Sequence, residues 1–303
     1  MPAGRLDTVR DRPDALEDRD IRSALAAGWE IDTTTMRYVS LGGGSYHWQV
    51  QAADGCRWFV SATDLDHAPW LGADRSSSLR TLRATMNTAL TLREAVGLSF
   101  VLAPVPCNDG GTLRPVRQRY GLVVHPFLEG ACGEFGAPLA PAETSAAIDM
   151  VAALHGTPTR TVDLHPLVDL KARESLDHAD LALGSIVERY DELCGDFSDR
   201  SLVITHGEPH AGNVMRAGDD TYLIDWDTAA LALPERDLWL LFDHGNTDVL
   251  RIYEDRTGHT VDPTALAFYR LRWAIEELLG AVGDLDASST RQAIDNARAA
   301  AGL

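Results

Sequence analysis

Residues 201–227, SLVITHGEPHAGNVMRAGDDTYLIDWD, hold two apolar runs that each stop at polar side chains able to do chemistry. Residues 202–205 lead into His206, Glu208, His210 and Asn213. Residues 222–226 carry Asp225 and lead to Asp227. Between them, Ala217-Gly218-Asp219-Asp220 has the composition of a tight turn, which predicts a hairpin folding the second run back on residues 213–216. Such a hairpin brings Asn213 beside Asp225. An amide oxygen next to a carboxylate is a hard oxygen pair, suited to a Mg²⁺ that also holds phosphate oxygens. Glu208, on the same loop, could accept a proton from a substrate hydroxyl. Two other readings stay open at this point. His206-x-x-x-His210 with two Asp could be the metal site of a hydrolase, although no helical pattern puts both His on one face. The stretch could also be a purely structural polar turn.

The spacing resembles the aminoglycoside phosphotransferases and their choline kinase-like relatives, the spectinomycin-phosphotransferase-like branch above all over residues 206–241. That family carries His-Gly-Asp, four residues, Asn, and then a hydrophobic residue with Asp on the next strand. Here those positions read His206-Gly207-Glu208, residues 209–212, Asn213 and Ile224-Asp225. The resemblance implies that Glu208 is the catalytic base, one methylene longer than the family's Asp. It implies that Asn213 and Asp225 hold Mg²⁺, with His206 in the catalytic loop and His210 and Asp227 in support. Asp237 falls where the family has an Asp that accepts backbone hydrogen bonds from that loop. The fold implied is α+β, a bilobal protein-kinase-like structure. Its β-rich N-lobe would cover residues 1–124, its hinge 125–130 and its mostly helical C-lobe 131–303. The activity implied is transfer of the γ-phosphoryl group of ATP or GTP to a hydroxyl of a small molecule, an aminoglycoside or aminocyclitol among the candidates. A non-catalytic nucleotide- or ligand-binding pseudokinase, or a metabolic kinase for an amino alcohol or sugar, stays open beside it.

Composition narrows the classes. A chain of 303 residues, 45% hydrophobic, can bury a core for one large or two moderate domains. A formal charge of −18 leaves no basic face for duplex nucleic acid. It suits a cationic small acceptor, and serves solubility equally well. Four widely spaced cysteines without a C-x-x-C predict reduced thiols. No apolar run is long enough to span a bilayer and no leader is visible, so a cytoplasmic protein without membrane partners is expected. Monomer and homodimer are equally open.

The N-terminal half reads as a helix over residues 13–29, then strands from 37, over 46–51 and over 56–60. The turn Gly42-Gly43-Gly44-Ser45 separates the first two strands, and glycines there would let backbone N–H groups cradle phosphates. Kinase-like folds place a lysine on the third strand to pair with nucleotide phosphates. Here that strand carries Ser61, and Lys171 is the sole lysine of the chain. Arg57, on the same strand face, is one conceivable substitute; Arg80 and Arg83 are others. The helix expected over 76–95 has no acid between Arg75 and Arg93, so the lysine's usual Glu partner is missing too. The loss of both points to a rewired nucleotide site.

Residues 100–105 read as a strand, turned back by Asn108-Asp109-Gly110-Gly111 to pair with 112–118. Residues 120–128 read as a strand entering the hinge. There His125, Phe127 and Leu128 would face the nucleobase, since Pro126 has no N–H. Helices are expected over 141–155, 170–193, 234–243, 263–282 and after Gly283. Acids at Asp243, Asp248, Asp255, Glu276 and Glu277 lie where the family builds its acceptor site.

Overall fold

The computed structural model describes residues 11–167, 183–194, 200–242, 248–284 and 287–302. Helix α1 (Asp18–Trp29) precedes strands β1 (Thr33–Val39), β2 (Tyr46–Ala52) and β3 (Arg57–Asp64), then helix α2 (Arg75–Glu94). Strands β4 (Arg114–Val116) and β5 (Tyr120–Pro126) complete an antiparallel sheet ordered β1-β2-β3-β5-β4. After the two-residue β6 (Ala131–Cys132) the chain turns mostly helical, with α3 (Pro141–His155) and α4 (Gly184–Cys194). Strand β7 (Val203–Thr205), hairpin β8 (Val214–Ala217) with β9 (Asp220–Leu223), and β10 (Ala230–Ala232) follow. Helices α5 (Glu235–Phe242), α6 (Asp248–Thr257), α7 (Pro263–Asp284) and α8 (Ala287–Ala301) finish it.

Period-two alternation divides the sheet between two cores. Val60 and Ala62 of β3, Trp48 and Val50 of β2, and Leu122 and Val124 of β5 pack with Ile21 and Leu25 of α1. The opposite face meets α2: Val123 joins Leu82 and Met86 in the core that continues into the helical part. Gly121 allows the approach, since a Cβ there would sit 2.7 Å from Leu82. Leu25 is fully buried, and truncating a leucine in such a place costs about 2–5 kcal/mol.

Several elements depart from the sequence reading. The first helix starts five residues later than expected, because residues 13–16 form a turn closed by Leu16 N–H on Pro13 C=O. Residues 100–105 are not a strand paired with 112–118. Pro104 and Pro106 remove two donors, so the segment makes only a single parallel bridge, Val101 with Leu223. The turn at Cys107–Gly110 does form. The hairpin, however, is β4–β5, closed by Arg117 and Gln118, both at positive φ (48° and 57°). No Gly or Asn announces that turn. Helix α6 and strand β10 were not anticipated. Of the helix expected over 170–193, only the part from Gly184 is described; Lys171 and Asp243 lie outside the described residues.

Candidate active site

Three short segments converge at the end of β7. Strand β7 pairs with β10, and Thr205 Oγ1 donates to Ala230 C=O at 2.9 Å. The chain then breaks from the sheet at His206-Gly207. Gly207 has φ +101° and a Cβ there would run into the guanidinium of Arg236, so only glycine fits. Arg236 ties the corner further, donating to Thr205 Oγ1 and to Thr228 C=O, each at 2.8 Å.

The corner hangs on Asp237, the third residue of α5. Its carboxylate, wholly buried, accepts the backbone N–H of His206 at 2.9 Å and of Gly207 at 2.6 Å. It also accepts Nε2 of His155 at 3.1 Å, while Nδ1 of that ring lies 2.8 Å from the Tyr253 hydroxyl. Burial alone would raise the Asp237 carboxyl. The His155 hydrogen bond, with the charges of His155, Arg236 and His206, holds it below the usual carboxylate range.

His206 is a structural imidazole. Nδ1 accepts the Glu208 N–H at 3.3 Å, so Nε2 carries the proton and donates to Ile224 C=O at 2.9 Å. Burial pushes the ring down to about 4, and it stays neutral at pH 7. With both nitrogens engaged by backbone, His206 has no lone pair for a metal. Among the described residues no group of three or more His, Cys, Asp and Glu gathers as a metal cage. Both observations weigh against the hydrolase reading.

Beyond the corner, Glu208 is half-buried on the loop and its C=O accepts Asn213 Nδ2 at 3.0 Å. The amide nitrogen is thereby committed to backbone, which leaves the Asn213 side-chain oxygen as its remaining acceptor. Asn213 C=O receives Ile224 N–H at 3.0 Å, and Val214 pairs with Leu223. The β8–β9 hairpin therefore sets Asn213 beside Asp225. Asp225 is exposed and stands at φ 66°, ψ 69°, a left-handed conformation that costs a non-glycine residue energy and recurs where function demands it. The next residue, Trp226, is buried edge-on against His206 at 4.8 Å and anchors this kink.

The residues expected on the nucleotide side lie toward the face of the sheet opposite α1. Gly42 has φ +59°, and Ser45 Oγ lies 2.8 Å from Thr63 Oγ1 of β3. Ser61 sits opposite His47 on β2, with its Oγ 3.0 Å from Nδ1. His125 sits opposite Phe59, and burial, with His47 near it, pushes its ring down to about 4. Phe127 N–H donates to Arg57 C=O at 3.2 Å, which puts Leu128 next in line as a hinge donor. Arg57 is not brought to Ser61. Its guanidinium pairs with Glu129 at 2.7 Å and lies over the Phe127 ring at 4.3 Å, four residues or about 13 Å further along the strand. Arg80 and Arg83 are exposed on α2.

Aromatic rings gather beside the loop of Glu208. His210 meets Phe135 edge-on at 4.5 Å, Phe135 stacks on Trp273 at 5.8 Å, and Trp239 adjoins Trp273 at 5.5 Å. His210 of this wall was a candidate from the sequence; the rest of it, His155 and Arg236 were not singled out. Of these others, Arg236 and Trp239 share α5 while Phe135, Trp273 and His155 come from separate elements, and no spacing links them.

Residues 57–270 match the phosphotransferase enzyme family. The chain belongs to that family. No curated protein matches this phosphotransferase in sequence. In fold it is similar to spectinomycin phosphotransferase APH(9)-Ia, solved with ADP and spectinomycin. The two share 16% identity and a TM-score of 0.68, over 95% of this chain and 99% of that one. It is similar to amicoumacin kinase hAmiN, solved in complex with AMP-PNP, Ca²⁺ and Ami, at 11% identity and a TM-score of 0.68, over 95% and 94%. A third likeness is to aminoglycoside 2'-phosphotransferase-IIIa in its GDP complex, at 15% identity and a TM-score of 0.63, over 95% and 99%. At these identities the likeness establishes the shared α+β, protein-kinase-like fold. Among the described residues, no helix of the phosphotransferase is long and apolar enough to cross a membrane.

Proposed function

We propose that the protein transfers the γ-phosphoryl group of ATP or GTP to a hydroxyl of a small molecule, in the manner of the antibiotic phosphotransferases it resembles. The observation that carries this is the hairpin junction: Asn213 anchored by its nitrogen to the Glu208 carbonyl, with Asp225 exposed and kinked beside it. An amide oxygen and a carboxylate fit Mg²⁺, which takes few protein oxygens and completes its shell with phosphate. Bound there, Mg²⁺ would neutralise charge on the nucleotide phosphates.

This chain's own residues do the rest. Asp237 fixes the His206-Gly207 backbone, and so the direction in which Glu208 leaves the loop. Glu208 orients the acceptor hydroxyl and takes its proton. The acceptor oxygen bonds to the γ-phosphorus as the bond from that phosphorus to the β–γ bridging oxygen breaks, and the nucleoside diphosphate departs with that oxygen. The wall of His210, Phe135 and Trp273 excludes water on the acceptor side. An aminoglycoside or aminocyclitol fits such a site, with the acids Glu276 and Glu277 on the same helix as Trp273. An amino alcohol or sugar is the alternative within the same chemistry.

One observation favours a binding module instead: Ser61 replaces the strand-3 lysine while Arg57 is held away by Glu129. Thermal unfolding with ATP or GTP, with and without Mg²⁺, separates the two on wild type and Asp225→Asn. A ligand at about 100 times its Kd stabilises by about 2.7 kcal/mol. A Mg²⁺-dependent rise that Asp225→Asn loses, followed by phosphate transfer to one of a panel of aminocyclitols and amino alcohols, supports the phosphotransferase. A rise without transfer to any acceptor supports the binding module. No rise with either nucleotide overturns both.

A further inference from the structure

The cleft face of the sheet carries one row of side chains from the glycine turn to the hinge. Residues two apart on a strand share a face, so Thr63, Ser61, Phe59 and Arg57 of β3 form the row. Their partners are His47 and Gln49 on β2, opposite Ser61 and Phe59, and Val123 and His125 on β5, opposite the same two. At one end Ser45 of the glycine turn contacts Thr63. At the other, Arg57 covers Phe127 of the hinge segment. A nucleotide with its phosphates under the glycine turn and its base at the hinge lies along this row. One residue pair in from the phosphate end stand His47 and Ser61, joined Nδ1 to Oγ at 3.0 Å. The His47 ring also stacks on Phe59, with centroids 5.1 Å apart and planes 25° from parallel.

We propose that His47 is the side chain that binds the nucleotide phosphates, in the part a strand-3 lysine takes in kinase-like folds, and that Ser61 holds its ring in place. This inference rests on the phosphotransferase reading above.

ATP brings several negative charges to a chain of formal charge −18, and such a ligand needs a cation at its phosphates. Arg37 of β1, two strands away from Ser61, shares this face but reaches only Gln49, and the other arginines near the cleft are committed or turned away. Arg57 pairs with Glu129, Arg75 with Asp66 and Arg119 with Asp64, while Arg80 and Arg83 are exposed on α2. His47 lies on the cleft face itself. Cross-strand neighbours stand about 5 Å apart, so an imidazole on β2 leaning over a serine occupies the volume that a lysine on β3 would fill. The small hydroxyl at 61 makes room for the ring and fixes its tilt. A phosphate beside the ring favours its protonated form, as an opposite charge does for any histidine. The same arrangement explains why α2 carries no acid before its last residue, Glu94: with no lysine to orient, α2 presents Leu79, Leu82 and Met86 instead.

Calorimetric binding of ATP with Mg²⁺, and separately of adenosine, tests this on wild type, His47→Ala, His47→Gln and the double variant His47→Ala/Ser61→Lys. The glutamine variant keeps a polar side chain at position 47 and guards against a folding defect. ATP affinity should fall about tenfold to a hundredfold in both single variants, with adenosine binding unchanged. Lysine at position 61 should recover most of the loss. Equal losses for ATP and adenosine, unchanged ATP affinity in both single variants, or no recovery in the double variant would overturn the proposal and leave the phosphotransferase standing. A wild type that binds neither ligand would instead overturn the phosphotransferase reading, and this inference with it.

Discussion

Trp70 donates its indole N–H to a carboxylate oxygen of Asp227, Nε1 to Oδ2 at 2.9 Å, across more than half the length of the chain. The same indole lies against the glycine turn: a Cβ added at Gly44 would sit 3.5 Å from its ring. One side chain therefore touches both the glycine turn at the end of the sheet and the loop that carries Asp225. A hydrogen bond to a charged acceptor contributes about 1.5–3 kcal/mol. A double-mutant cycle with Trp70→Phe and Asp227→Ala, read by urea unfolding, should return a coupling of at least about 1 kcal/mol. Additive effects would show that the contact ties nothing.

Glu208 is half-buried, and its backbone N–H and C=O hold the loop through His206 Nδ1 and Asn213 Nδ2. Glu208→Gln should therefore leave the unfolding midpoint near that of wild type. Turnover, with whichever acceptor the panel identifies, should drop about 10²–10⁴-fold, the range of general-base assistance. A near-normal rate would remove Glu208 from the chemistry.

The phosphotransferase should lose stability in mild acid. The unfolded chain protonates His206 near 6.5, whereas the folded ring stays neutral down to about 4. Between those values the unfolded state binds more protons, so stability falls as pH drops through that window and then levels. The loss from this one ring is on the order of 3 kcal/mol. Asp237, held below its usual value, adds a further loss only at lower pH. Chemical unfolding at pH 7 and at pH 4.5 should show the fall, and His206→Gln should flatten it. Identical slopes for the two proteins would refute the assignment.

The hairpin was legible because its signals are local. Gly218, at φ +63°, turns β8 onto β9, and two residues of chain fix which side chains meet. The glycine turn at 42–44 and α2 were legible for the same reason, as a φ that only glycine adopts easily and a stripe with helical period. Residues 100–105 look like a strand because they are apolar, but Pro104 within the run and Pro106 just after it lack the donors a paired strand needs. The β4–β5 turn stayed hidden because Arg117 and Gln118 adopt positive φ without a residue type that advertises it.

The sequence by itself determined which residues could be chemical: a carboxylate on a loop after one strand, and an amide and a carboxylate brought together by a short hairpin. It also determined that a strand-3 lysine is missing, since the chain has only one lysine to offer. Tertiary structure decided what holds those groups and which side chain stands against Ser61. Asp237 reaches the His206 corner only because α5 packs there, and His155 meets it from the end of α3. His47 faces Ser61 only through the β2–β3 register, and Trp70 finds Asp227 only where sheet and hairpin close together. The physical reason is range. Turn and strand preferences act over a few residues, whereas contacts between distant segments depend on which buried surfaces fit once the whole chain has collapsed.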